Sequence, residues 1–194
     1  MKKRVVLLGS LPSVLPKNFR SDFLIYVDRD RKLGESSGKF ISIGDNDSST
    51  QKPEILLPRD KSRNDLYYAL KLIPPKTKEL HFIGFLGARR DHERMNFAEV
   101  HRYLKKQTGV SAYWWEDQKL KAMSLASGRY SFVWRGVFSL FCFQRTKVQL
   151  KGKCRYPLMK PTLLLPLSSH GLSNVGYGAF MVKTNAPLLV DFVS

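Results

Sequence analysis

The chain has 194 residues, 33 Lys+Arg against 16 Asp+Glu, a formal net charge of +17, and 43% hydrophobic and 12% aromatic residues. That composition excludes a disordered chain, and the length is enough to bury a core without covalent staples. Two cysteines, Cys142 and Cys154, exclude a disulfide framework and match no zinc spacing, and no apolar run approaches the ~20 residues that span a bilayer.

The chain opens with Met1-Lys2-Lys3-Arg4 and the apolar run Val5-Val6-Leu7-Leu8, as a secretory signal would. The run then stops at Gly9-Ser10, with Pro12 and Pro16 close behind and no A-x-A site, so it reads as a buried first strand and the expected location is the cytoplasm. Further apolar, β-branched runs at 23–27, 40–43 and 80–85 each end at Gly, Asp or Ser. Between the last two, Leu66, Ala69, Leu70 and Ile73 recur at helical spacing after Asn64, a cap residue, and Pro74-Pro75 stops the helix. Residues 92–106 read as a second helix with Phe97, Val100 and Leu104 on one side. This alternation predicts a parallel sheet covered by helices.

From about residue 110 only strand-like runs follow, at 111–115, 119–125, 130–134, 137–143, 146–151, 178–182 and 187–192. The expectation is therefore an α/β chain: a parallel-sheet α/β domain over 1–108, then an antiparallel β-sandwich domain over 109–194. Charge follows the same division, with 20 basic and 13 acidic residues in 1–104 and 13 basic and 3 acidic in 105–194. A basic surface attracts nucleic acid, anionic membranes or phosphorylated small molecules, and charge alone does not choose among them.

With acids this scarce, their placement is informative. The third run is followed at once by Gly44-Asp45-Asn46-Asp47-Ser48, and the fourth by Gly87-Ala88-Arg89-Arg90-Asp91-His92. Ligands of open α/β sheets bind outside the carboxyl ends of the strands, so Asp45, Asp47 and Asp91 converge on one edge, with Asp60 and Asp65 as neighbours. Carboxylates gathered there suit a hard cation such as Mg2+, and Arg59, Arg63, Arg89 and Arg90 suit phosphate oxygens. Those are the parts that phosphoryl transfer requires. Taken singly each acid has a structural reading: D-x-D is common in turns, Asp91 can cap the second helix, and Asp65 suits the first turn of the first helix. No P-loop, dinucleotide fingerprint, H-x-x-x-H pair or G-x-S-x-G elbow is present; among His81, His92, His101 and His170, only His92 is a candidate acid/base. Trp114-Trp115 reads as core or interface, and the two cysteines as buried thiols.

The order of these motifs resembles thiamine pyrophosphokinase over most of the chain. Gly44-Asp45-Asn46-Asp47-Ser48 is similar to the family's G-D-F-D-S, the segment from Asn64 to Leu70 to its T-D-x-x-x-A-L, and Gly87-Ala88-Arg89-Arg90-Asp91-His92 with Asn96 to its G-G-R-x-D-H-x-x-x-N. Downstream, Phe138-Ser139-Leu140 resembles its S-L strand, Lys153-Cys154-Arg155-Tyr156-Pro157-Leu158 its G-L-K-Y-x-L, and Gly171-Leu172-Ser173-Asn174 its S-N segment. The resemblance implies Mg2+-dependent transfer of pyrophosphate from ATP to the hydroxyl of thiamine, releasing AMP, by a homodimer. It implies that Asp45, Asp47 and Asp65 hold the metal and, with Asp91, carry catalysis. It places Asp28, Arg89, His92 and Asn96 on the nucleotide side, and Ser173 and Asn174 near the thiamine pocket. The departures are specific. The family's D-G-G-x-N is here Asp28-Arg29-Asp30-Arg31-Lys32, Ser62 and Asn64 replace Asp and Thr of K-D-x-T-D, and Val175 stands where many members carry Glu. They leave open a relative that binds a phosphorylated ligand or nucleic acid without catalysis, and a pyrophosphokinase for another alcohol such as a pterin.

Overall fold

A computed structural model describes residues 3–14, 19–31, 39–47 and 49–193. Lys32 of the Asp28-Arg29-Asp30-Arg31-Lys32 segment, Ser48 of the D-x-D turn, Pro16, Met1 and Lys2 lie outside the described residues. The chain divides into two compact units, Met1–Val100 with Ala112–Lys119, and His101–Ser111 with Leu120–Ser194.

In the first unit, β1 (Lys3–Leu8), β2 (Phe23–Val27), β3 (Lys39–Gly44), β4 (Ile55–Leu56) and β5 (Thr77–Ile83) precede β6 (Ser111–Glu116), in the spatial order β6-β5-β1-β2-β3-β4. The pairs β1–β2, β1–β5, β2–β3 and β3–β4 are parallel. Val5 to Leu8 and Leu24 to Val27 are almost fully buried, which is why these strands are unbroken apolar runs and not alternating ones. Helices are few. α1 (Asp65–Ala69) continues as one 3-10 turn, Leu70–Leu72, and α2 spans Arg90–Leu104. Asn64 caps α1 by accepting from the Tyr67 N–H, and Asp65 fills its first turn. Phe97 of α2 meets Trp114 edge-on at 4.6 Å, and Trp114 stacks on Phe82 at 4.3 Å, with Trp114 and Phe82 fully buried.

The chain leaves β1 toward β2, β3 and β4 on one side and returns as β5 on the other. That reversal makes β1 the switch point, where the strand ends part and leave a crevice.

The second unit is antiparallel: β7 (Lys119–Leu125), β8 (Gly128–Phe141), β9 (Thr146–Cys154), β10 (Leu158–Leu164), β11 (Asn174–Thr184) and β12 (Leu188–Val193), ordered β10-β9-β11-β8-β12-β7. Residues 130–134 and 137–143 fall in one strand and its end, because Gly136, at φ 132°, bends β8 without ending it. β10 was not expected: Pro161 interrupts its pattern, and an edge strand tolerates that. Phe138 pairs with Asn174 in the ladder, yet its ring stacks on Phe180 at 4.8 Å. Six residues of straight strand would separate the two by about 20 Å, so the sheet curls over itself around these rings. The expected pair of sheets is therefore realised as one hydrogen-bonded strand order with a curled core. Cys142 and Cys154 are buried and free. Among the described residues no helix is long and apolar enough to cross a membrane.

Candidate active site in the first unit

The strand ends meet closely because of glycines. A Cβ on Gly44, at the end of β3, would lie 2.9 Å from the Asp28 Cα just beyond β2. A Cβ on Gly84 would lie 2.9 Å from the Gly9 carbonyl oxygen, and Gly84 also has φ +79°. Glycine is the residue that permits both approaches. Asp28 (φ 50°) and Asn46 (φ 62°) adopt left-handed backbone, which their short polar side chains tolerate. The turn at Asn46 sets Asp45 and Asp47 on either side of it.

The result is a carboxylate cluster: one oxygen each from Asp28, Asp45 and Asp47 lie within 4.8 Å of one another. Asp65 was expected in this group. It stands instead across Lys61, whose Nζ reaches Asp45 in a close contact and Asp65 Oδ1 at 3.3 Å. The Lys61 side chain is only 7% exposed. Burial alone would raise the Asp45 pKa, but Lys61 more than offsets it and holds the carboxyl below its ordinary value. Burial dominates at Asp65 and raises its pKa despite Lys61. The two acids in turn keep the Lys61 ammonium charged against its own desolvation. Asp45 Oδ1 is buried without a hydrogen-bond partner among the described residues. Hard oxygen donors this close, one of them unsatisfied, fit a divalent cation such as Mg2+.

Beside the cluster opens a cavity of about 330 Å³. Its wall includes Ser10 after β1, Asp28, Asp47, Asn64 and Asp65, and Arg89, His92 and Asn96 from the β5–α2 segment. Asn96 is buried, accepts from Asn64 Nδ2 at 3.2 Å and donates to the Phe85 carbonyl at 3.4 Å, tying the starts of both helices together. Asp91 is not part of this wall. It pairs with Arg89 at 2.6 and 3.3 Å in the open, and that guanidinium holds its pKa down at about 2. Asp60, Arg59, Arg63 and Arg90 also stay off the wall; Arg63 reaches Glu99 at 3.5 Å. The side chains that replace the family's glycines turn to protein partners. Arg29 donates to Ser13 Oγ at 2.8 Å and Asp30 accepts from Thr50 and Gln51, while Arg31, at the position after the pair, lies over the Phe40 ring at 4.2 Å.

Ser173 and Asn174 belong to the second unit. Ser173, at φ 56°, donates its N–H to Ser139 Oγ. Asn174 is buried and bonds both the N–H and the carbonyl of Tyr156, so its amide closes the start of β11 onto the turn after β9. Lys61 was not singled out from sequence; it precedes α1, so helical spacing does not reveal it, and only its closeness in the chain to Asp65 was readable.

A parallel strand set ordered around a switch point, followed by a curled antiparallel unit, defines the class of fold. Solved thiamine pyrophosphokinases have the same fold. The chain matches thiamine pyrophosphokinase from Bacillus subtilis with TM-score 0.67 and 16% identity, covering 99% of this chain and 100% of that one. It matches thiamin pyrophosphokinase from Candida albicans with TM-score 0.66 and 10% identity, over 99% of this chain and 90% of that one. A thiamin pyrophosphokinase family protein from Enterococcus faecalis gives TM-score 0.65 and 17% identity, over 99% and 100%. No protein-family model and no curated protein sequence matches the chain. At such identities the likeness is one of fold: the resemblance read from six short motifs holds over the whole chain as a diverged form of that architecture.

Proposed function

We propose that the protein is a Mg2+-dependent pyrophosphokinase that transfers the terminal pyrophosphoryl group of ATP to the hydroxyl of thiamine. The observation that carries this reading is the Asp28, Asp45 and Asp47 cluster beside a cavity of about 330 Å³ at the carboxyl ends of the strands. Asp28, Asp45 and Asp47 hold the metal, which when bound neutralises phosphate charge. Lys61 favours the ionised form of Asp45 and stands between it and Asp65. Arg89, steered by Asp91, meets phosphate oxygens from the cavity rim, and Asn64, Asn96 and His92 supply polar contacts to the nucleotide. In the transfer, the alcohol oxygen bonds to the β-phosphorus, the bond from that phosphorus to the oxygen of the α-phosphate breaks, AMP leaves, and the hydroxyl proton is released. In this reading the working form is a homodimer.

AMP release from ATP and Mg2+, with and without thiamine, tests the proposal. Thiamine-dependent AMP is expected, with loss of roughly 10²–10³-fold in Asp45→Ala while the protein remains folded by circular dichroism. Unimpaired AMP release by Asp45→Ala, or none from the wild-type protein with any alcohol, would sink it. Side chains in place of the Gly-Gly pair favour one variation, an alcohol other than thiamine; AMP release driven by a pterin alcohol and not by thiamine would select it.

A further inference from the structure

The second unit holds 13 Lys and Arg and a single acid, Asp191. The strand register shows where part of that charge goes. Inward positions of β8, β11 and β9 are mostly apolar, with Thr146, Asn174 and Thr184 at strand ends, and outward positions form cross-strand rows. Arg129 lies opposite Lys183, which lies opposite Gln149. Ser131, Met181 and Lys151 make the next row, Val133 and Ala179 the next, and Arg135 and Tyr177 the last. Arg129, Val133, Arg135, Tyr177 and Lys183 are all exposed. Lys147 is pinned beside the end of β11, where its N–H donates to Asn185 Oδ1 at 2.7 Å. Arg129, Lys147 and Lys183 line one pocket of about 470 Å³, whose wall contains no carboxylate.

Arg129 directly opposite Lys183 is a like-charge pair that weakens the sheet. An anion between them reverses the sign of that contribution. The cations are distributed, not convergent: neighbouring strands lie about 4.8 Å apart, and residues on one face of a strand follow at about 6.8 Å. One small phosphorylated molecule meets the pocket end and leaves Lys151 and Arg135 unused. A polymer with regularly spaced phosphates meets them all. Tyr177, 48% exposed and opposite Arg135, adds an aromatic surface on which a base can stack. A second copy packed face to face would set five cations against five. We propose that the outer face of β8, β11 and β9 binds single-stranded nucleic acid through its phosphate backbone, independently of the cavity in the first unit.

Fluorescence anisotropy of a labelled single strand of about 20 nucleotides, longer than one binding site, tests this on the full chain. If four phosphates are neutralised, affinity should fall about 50-fold between roughly 50 and 200 mM salt. Arg129→Glu with Lys183→Glu should weaken binding more than about tenfold and flatten the log–log salt slope by about 1.4. Lys39→Glu with Lys52→Glu makes the same change in net charge on the first unit and should leave affinity within about twofold. Lys183→Glu alone replaces the like-charge pair by an attractive one, so it should bind more weakly while melting no lower than wild type, which separates lost binding from lost folding. The proposal is overturned by absent binding at low salt, by equal loss in both double variants, or by binding to phosphatidylserine vesicles and not to the strand. The AMP assay reads none of these outcomes, so this inference and the pyrophosphokinase reading fail separately.

Discussion

His81 shows how far one side chain departs from what its type suggests. It is 5% exposed on β5, stacked on Tyr113 at 4.7 Å and edge-on to Phe19. Trp115 Nε1–H donates to its Nδ1 at 3.0 Å, so the proton of the neutral ring sits on Nε2, which has no partner among the described residues. Burial first, and the Arg4 guanidinium second, hold its pKa at about 3 against an ordinary 6.5. The folded ring thus stays neutral while the unfolded one charges below pH 6.5. Stability from this group is complete above 6.5 and is lost as pH falls toward 3. Between pH 7.5 and 5.5 the loss is about 1.4 kcal/mol. Urea denaturation should show it in the wild type. It should largely vanish in His81→Gln, which keeps an acceptor for Trp115, leaving the slope from buried His101, whose pKa burial also lowers. An equal slope in both proteins would refute the assignment to His81.

At the scale of elements, α1 is five residues long and too short to persist without tertiary support. Asn64 supplies part of it twice, as the cap of α1 and as the donor to Asn96 in α2. Asn64→Ala removes both bonds and should cost about 1–2 kcal/mol, while Asn64→Ser keeps the cap and should cost less than half of that. Equal losses, measured by chemical denaturation, would mean that the cap contributes nothing. The cap, the parallel strands and α2 were legible because periodicity and punctuation are local. Asp45 and Asp47 were legible because strand ends face ligands in this kind of sheet. Asp28 entered only through the resemblance, and its meeting with them depends on Gly44 letting β2 and β3 close, a three-dimensional fact with no sequence period. The ion pair from Lys61 to Asp45, 16 residues back in the chain, is equally non-local. β10 was hidden by Pro161, and β8 was divided because Gly136 reads as a stop when it acts as a bend.

At the scale of the whole molecule, net charge was readable from composition, but its concentration on one sheet face needed the register of three strands. A chain at +17 repels itself, and the folded state brings Arg129, Lys147 and Lys183 around one pocket where the unfolded chain lets them separate. Salt screens such charges over about 10 Å at 0.1 M, a range comparable to the spacing of the rows. Added salt therefore relieves more repulsion in the folded state than in the unfolded one, and the melting temperature should rise from about 0.02 to 0.3 M NaCl. Lys183→Glu should reduce that rise, since it replaces one of the closest repulsions by an attraction, whereas Lys52→Glu, a distant change of the same charge, should reduce it less. A melting temperature that is flat or falling with salt would show that the basic face is already neutralised within the fold. Equal effects of the two variants would show that total charge matters and its arrangement on β8, β11 and β9 does not.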